Sequence, residues 1–464
     1  MLIATFFLSA VLGIALFWGT GTMRAIDSFL QTVGIAVYQM NRYGLDDHEH
    51  LALSQKHAVN ILLRLLWLCM LVVLVVAVSL LPLLLISFEG VSAWDMGVAV
   101  AVVSAVLIAG YLVIRKKPRH DEYPPAKQLL YYATLGVPGT NWTIHRLENA
   151  VYGGEKKIDK ALVVTGLARA GTTALLRELH DDPQFMSLTY RNMPFPMSGR
   201  LWRSVNRAKS EAKERSHQDG IFVDLDSPEA FDEYFWRLIT KEKYYRENGL
   251  SWHEVSPQDI DAFESLVARH VRPDHVYLSK NNNFLLRAES VLQQRENYVL
   301  ALVFREPVQH ALSLKRQHNI HCAVQQRQPF VIDYMDMLGH HEFGLHRKDF
   351  LLPNSQLTRF DPADDNYWLE RWIDYYRYAL TLPSDSIHFI GNDQVRHHAL
   401  LVIQKLRQSI GLEEPLSSPD VTSDVPITMA KQEEREHFDP ELLLQSEEVL
   451  NQLRARTMSA LSPL

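Results

Sequence analysis

Ala161-Leu-Val-Val-Thr-Gly-Leu-Ala-Arg-Ala-Gly-Thr-Thr-Ala-Leu-Leu-Arg-Glu-Leu179 reads as strand, tight loop and helix, and the rest of the chain is organised around it. The apolar and β-branched run ending at Thr165 has the composition of a strand buried on both faces, and Ala174, Leu175, Leu176 and Leu179 give the following helix an apolar face. Between them, Gly166 and Gly171 free the backbone to turn, so that successive amides and the helix N-terminus can point at one anion. The nucleotide-kinase form of such a phosphate cradle has Lys directly after the second Gly; here that position is Thr172, and the cation is Arg169 inside the loop. A metal-bound triphosphate is therefore not the expected ligand.

A second strand delivers another cation downstream. Tyr298-Val-Leu-Ala-Leu-Val-Phe ends at Arg305, Pro307 suits the first turn of the next helix, and Ser313 lies about two turns in, on the side carrying Gln309 and His310. Between the two phosphate grips, Val276-Tyr-Leu-Ser-Lys280 is a short strand ending in Lys, followed by Asn281, Asn282 and Asn283.

Arg-x-Gly-Thr-Thr at the first site and Arg-x7-Ser at the second resemble the sulfotransferase family. The resemblance runs from about Lys160 to Gly411, and Met193-Pro-Phe, Ser227-Pro-Glu-Ala-Phe and Gly339-His-His-Glu-Phe-Gly344 are similar to bacterial, membrane-anchored members of unassigned substrate. It implies a P-loop-like α/β fold and 3′-phosphoadenosine 5′-phosphosulfate (PAPS) as co-substrate, with no metal. It further implies that Arg169, Ala170, Gly171, Thr172 and Thr173 hold the 5′-phosphosulfate, that Arg305 and Ser313 hold the 3′-phosphate, and that Lys280 lies beside the transferred group. Relatives that take their general base from a Glu soon after the first loop helix are not matched, because Phe185 to Pro196 holds neither a carboxylate nor a His. His217, Asp219 and, behind them, Glu229 are the candidate bases. Glu229 has an equally good structural reading: Ser227 as helix cap, Pro228 in the first turn and Glu229 favouring the helix dipole. A P-loop phosphate-transferring enzyme and a non-catalytic, membrane-bound nucleotide-binding protein are the competing classes.

The remainder of the chain constrains the setting. A net charge of −7 over 464 residues, with no long basic stretch interleaved with aromatics, gives no case for nucleic acid. Two separated cysteines, Cys69 and Cys322, support no disulfide framework, and neither His318, His321 and Cys322 nor His340, His341 and His346 makes a convincing metal set. Residues 1–120 are read as a membrane region with three spans, at about 2–22, 61–88 and 94–114. Arg115-Lys-Lys-Pro-Arg-His120 follows the third span, and the positive-inside rule sets this flank in the cytosol and the N-terminus outside, as for a protein of a bacterial inner membrane. Arg24 to Asn60 is read as a loop or surface helix between spans, 121–159 as a connector, and 160–464 as the cytosolic catalytic domain. Trp368, Trp372, Tyr375 and Tyr376 fall at helical spacing and are read as core packing. Strands alternating with helices argue for an open parallel sheet with helices on both faces. A domain tethered beside a bilayer favours a lipid-linked sugar or glycolipid acceptor; the sequence does not identify an oligomeric state.

Overall fold

The computed structural model describes residues 2–80, 92, 98, 123–152, 157–199, 201–206, 213–214, 222–353, 355, 358–383, 385–412 and 432–457. Two units divide the chain, Met1–Pro138 and Gly139–Leu464.

In the first unit, α1 (Leu2–Gly19) and α2 (Thr22–Met40) meet at Gly21, whose φ of 74° supplies the left-handed residue between them, and the pair is bent by 52°. The stretch read as a polar connection after Arg24 is thus largely helical. It continues after a short turn into α3 (Asp47–Leu80), the one single helix among the described residues that is long and apolar enough to cross a membrane. The apolar run that starts at Ile61 is the second part of α3, and Leu62, Leu63, Leu66, Trp67, Met70 and Val73 stand exposed along it. Twenty residues from Ile61 to Leu80 span about 30 Å, the depth of a bilayer core. Further along, α4 (Pro125–Thr134) packs on α2, with Tyr132 stacked on Tyr38 at 5.7 Å between ring centroids. Most of the third expected span and its basic flank lie outside the described residues.

The second unit is built on five parallel strands: β1 (Ala161–Thr165), β2 (Phe185–Met186), β3 (Val276–Lys280), β4 (Tyr298–Phe304) and β5 (Ile387–Gly391), in spatial order β5-β4-β1-β3-β2. All residues of β1 and β4 are buried, which explains their continuous apolar sequences. Alternate residues serve the two faces. Leu162, Val164, Leu278, Val299, Ala301 and Val303 pack with Leu175, Leu176 and Leu179 of α5 (Thr172–His180) in one cluster. On the other face, Tyr277 and Ser279 donate hydrogen bonds to Asp232 at the start of α6 (Asp232–Thr240). Helices therefore cover both faces, as expected. From β1 the chain leaves toward β2, whereas from β4 it leaves toward β5, so the carboxyl ends of β1 and β4 flank the topological switch point where open α/β sheets bind ligands.

Candidate active site

Two positions of the loop after β1 favour glycine. Gly166 has φ 142° and a Cβ there would lie 2.4 Å from the Val303 carbonyl oxygen; Gly171 has φ 106° and a Cβ would lie 2.1 Å from Asn392 Nδ2. Arg169 itself holds a left-handed φ of 71°, a cost in backbone strain that a tightly determined loop can sustain. Two carbonyls of the loop are tied back. His310 Nε2 donates to Ala168 O at 2.8 Å from α7 (Pro307–Arg327), and Asn392 Nδ2 donates to Ala170 O at 2.8 Å from the helix that starts after β5. In a trans peptide the next N–H points opposite to the carbonyl, so the amides of Arg169 and Gly171 turn away from these tethers. With the first-turn amides of α5 at Thr172 and Thr173, they are the backbone donors that this loop can offer an anion. His310 is wholly buried, and burial, reinforced by the charges of Arg305 and Arg169, pulls its pKa down to about 3; it is a neutral tether.

Arginines gather here. Arg305 directly follows β4, with Nη2 3.3 Å from Gln309 Oε1. Its pKa is lowered by burial and then by the charges of Arg396, Arg169 and Arg316. Arg396 sits on α8 (Asn392–His397), the same short helix that supplies Asn392. Ser313, the expected partner of Arg305, is half-buried two turns into α7.

Lys280 ends β3 directly beside the loop, with Val164 opposite Lys280 in the strand register. The turn after it is firmly held. Asn281 N donates to Val164 O at 3.0 Å, and Asn281 Nδ2 donates to Glu233 Oε2 at 3.0 Å. Glu233 is clamped by Arg287 through two bonds of 2.7 and 2.9 Å and by the Tyr244 hydroxyl. Burial pushes the Glu233 pKa up, but the Arg287 charge and these bonds outweigh it and hold the carboxyl down to about 2.

Asn282 and Asn283 reach in another direction, to the loop after α9 (Phe330–Leu338). Asn283 Nδ2 donates to Gly339 O at 3.1 Å, and Asn282 Nδ2 to Glu342 Oε1 at 3.0 Å. His340 Nδ1 faces Glu342 Oε2 at 3.7 Å. Burial pulls the His340 pKa down, but Glu342, and after it the charge of Glu229, raise it above the ordinary histidine value. Burial likewise opposes ionisation of Glu342, yet His340 and Lys280 hold its carboxyl down to about 2. Glu342 lines a narrow cavity together with Leu167 and Ala168 of the loop, Phe350, Trp368 and Tyr375.

Glu229 also enters this neighbourhood, though not as a helix-start residue. Ser227 closes a turn with Asp224, accepting from Asp224 N at 3.0 Å and donating to Asp224 Oδ1 at 2.9 Å, so α6 begins only at Asp232. The expected cap at Ser227 is lost to this local side-chain turn. Glu229 accepts from the Tyr190 hydroxyl and, at 2.9 Å, from Ala230 N. His217 and Asp219 lie outside the described residues. Sequence reasoning missed Arg396 and Asn392, which carry no motif, and weighed His340 only as a metal ligand although it stands in the Gly339–Gly344 signature.

No protein-family model matches the chain, and no curated protein matches it. Solved structures similar to it include the sulfotransferase STF1 of Mycobacterium tuberculosis H37Rv, 12% identical over 71% of this chain and 85% of that one, TM-score 0.35. A sulfotransferase of Alicyclobacillus acidocaldarius is 13% identical over 66% and 99%, TM-score 0.34, and STF9 of Mycobacterium avium is 12% identical over 78% and 83%, TM-score 0.37.

Proposed function

We propose that this chain transfers a sulfuryl group from PAPS to an acceptor hydroxyl. The observation that carries the reading is Arg305 at the end of β4, on which the charges of Arg396, Arg169 and Arg316 bear, beside a strand-loop-helix cradle with Thr172 at the kinase lysine position. Cations gathered in this way suit a ligand with several anionic groups, and the sequence motifs nominate a nucleotide with 5′-phosphosulfate and 3′-phosphate. In this reading the loop from Arg169 to Thr173 grips the 5′ end, Arg305 and Ser313 the 3′-phosphate, and Lys280 meets the charge that builds on the bridging oxygen as it leaves. Positioning and electrostatic stabilisation then supply most of the catalysis. Calorimetry with 3′,5′-bisphosphoadenosine (PAP) should give tight binding, lost in Arg169→Ala and Arg305→Ala. Undiminished binding in both variants would refute the assignment.

The acceptor in this proposal is a hydroxyl on a cytosol-facing, lipid-attached carbohydrate. The support is the exposed apolar length of α3, a helix long and apolar enough to cross a bilayer and so to hold the chain at a membrane surface. Attachment to the bilayer raises the effective concentration of membrane-bound acceptors. Labelled sulfate supplied to producing cells should enter the lipid phase. Label confined to soluble metabolites would overturn this part.

A further inference from the structure

We propose that His340, oriented by Glu342, is the general base that removes the acceptor proton. The inference rests on the sulfuryl-transfer reading and adds to it the group that reading lacks.

The geometry begins with Gly339. It ends α9 in the left-handed conformation, φ 77°, and a Cβ there would lie 2.7 Å from Glu233 Cγ, so the chain turns at this point against the buried clamp. His340 follows directly, its N–H bonded to Met335 O at 3.0 Å. The two asparagine bonds to Gly339 and Glu342 come from the second and third residues after Lys280. One turn therefore carries the cation proposed for the leaving group and fixes the segment that holds the imidazole.

Chemistry separates His340 from its neighbours. His341 is buried, with Nδ1 at 3.2 Å from His346 O and Nε2 at 3.1 Å from the Tyr245 hydroxyl, so both nitrogens are engaged. His310 is buried and tied to the loop. The His340 side chain stays 22% exposed and turns Nδ1 to the carboxylate of Glu342. A proton on Nδ1 leaves Nε2 as the basic nitrogen, and among the described residues no hydrogen bond engages Nε2. Glu229 is the other carboxylate at hand, but each of its oxygens already accepts a hydrogen bond.

The step balances without an additional reactant. The acceptor oxygen forms a bond to sulfur while its proton passes to His340 Nε2; the bond from sulfur to the bridging oxygen breaks, and its electron pair departs on the nucleotide phosphate beside Lys280. The imidazolium then gives its proton to water. The charged groups bearing on His340 are Glu342 and Glu229, which favour protonation, and Lys280, which opposes it. Removal of the Glu342 charge must lower the His340 pKa and move the acidic limb of the rate profile to lower pH.

The test uses the full chain in detergent, radiolabelled PAPS and a membrane extract of the producing cells as acceptor mixture. His340→Gln should lower turnover by about 10²–10⁴-fold and leave PAP affinity within about twofold. Glu342→Gln should lower turnover less and shift the acidic limb to lower pH, a change that lost packing alone does not produce. Turnover of His340→Gln within a few fold of wild type overturns the proposal. So does loss of PAP binding in that variant, which would make the residue part of the donor site, or an unmoved acidic limb in Glu342→Gln. Failure of the unmodified protein to bind PAP would instead refute the sulfuryl-transfer reading itself.

Discussion

Asn282 Nδ2 donates to Glu342 Oε1 at 3.0 Å, so the second residue after Lys280 holds the carboxylate that faces His340. Strand β3 thereby fixes two chemical groups at once. Asn282→Asp sets a second carboxylate against Glu342, whereas Asn282→Ala only removes the donor. A hydrogen bond to a charged group contributes about 1.5–3 kcal/mol. Turnover should therefore fall by about tenfold in Asn282→Ala and further in Asn282→Asp, with PAP binding little changed. Equal, near-normal rates in both variants would detach Asn282 from the chemistry.

The buried pair of Glu233 and Arg287 is the anchor of this turn. Arg287 is fully buried, bonds both carboxylate oxygens, and lies 5.1 and 5.0 Å from the rings of Trp236 and Tyr244. Removing one partner leaves a charge that nothing neutralises. Arg287→Met or Glu233→Leu alone should cost about 3–5 kcal/mol, and the double replacement should be less harmful than the sum of the two. Additive losses in chemical denaturation would show that the two charges are not coupled.

Stability should also depend on pH through buried histidines. His270 and His310 are buried, and burial holds both pKa values down to about 3, against 6.5 for an ordinary histidine. The folded state stays neutral where the unfolded chain takes up protons, so their contribution is complete above pH 6.5 and is lost as pH falls toward 3. Each loses up to about 1.4 kcal/mol per pH unit. Asp232 acts the other way: burial raises its carboxyl to about 6, so it gains stability as pH falls through the range from 6 to its ordinary value of 3.8. Asp374, raised by burial to about 6, acts as Asp232 does, but burial also holds His145, His253 and His318 down to about 4, so the histidines outweigh the carboxyls and the denaturation midpoint should fall between pH 6 and 4. His310→Gln should flatten the slope, and an unchanged slope would contradict the burial argument.

How much of this was legible in the sequence follows from how local each feature is. Strands β1 and β4 are buried on both faces, so their apolar runs announce themselves, and the glycines between β1 and α5 report backbone needs that the structure makes explicit at Gly166 and Gly171. Trp368, Trp372, Tyr375 and Tyr376 are buried, as their helical spacing suggested. The register that sets Lys280 beside Val164 joins residues more than a hundred positions apart, and no local pattern encodes it. His340 and His341 are adjacent and alike in sequence; only the turn at Gly339 sends one to Tyr245 and the other to Glu342. Ser227 was misread because its partner Asp224, three residues before it, competes with the helix start.

Arg396 separates a ligand site from a structural one by two measurements. Its charge, with those of Arg169 and Arg316, opposes ionisation of half-buried Arg305. If these cations exist to hold phosphate groups, Arg396→Ala should change the melting temperature of the ligand-free protein little. It should also weaken PAP binding by about 10–150-fold, the equivalent of one charge-assisted hydrogen bond. The remaining affinity should depend less steeply on salt, because one cation fewer faces the ligand. A structural arginine behaves otherwise: its loss lowers the melting temperature and leaves affinity and salt dependence alone. That second pattern in Arg396→Ala would remove this residue from the proposed nucleotide site.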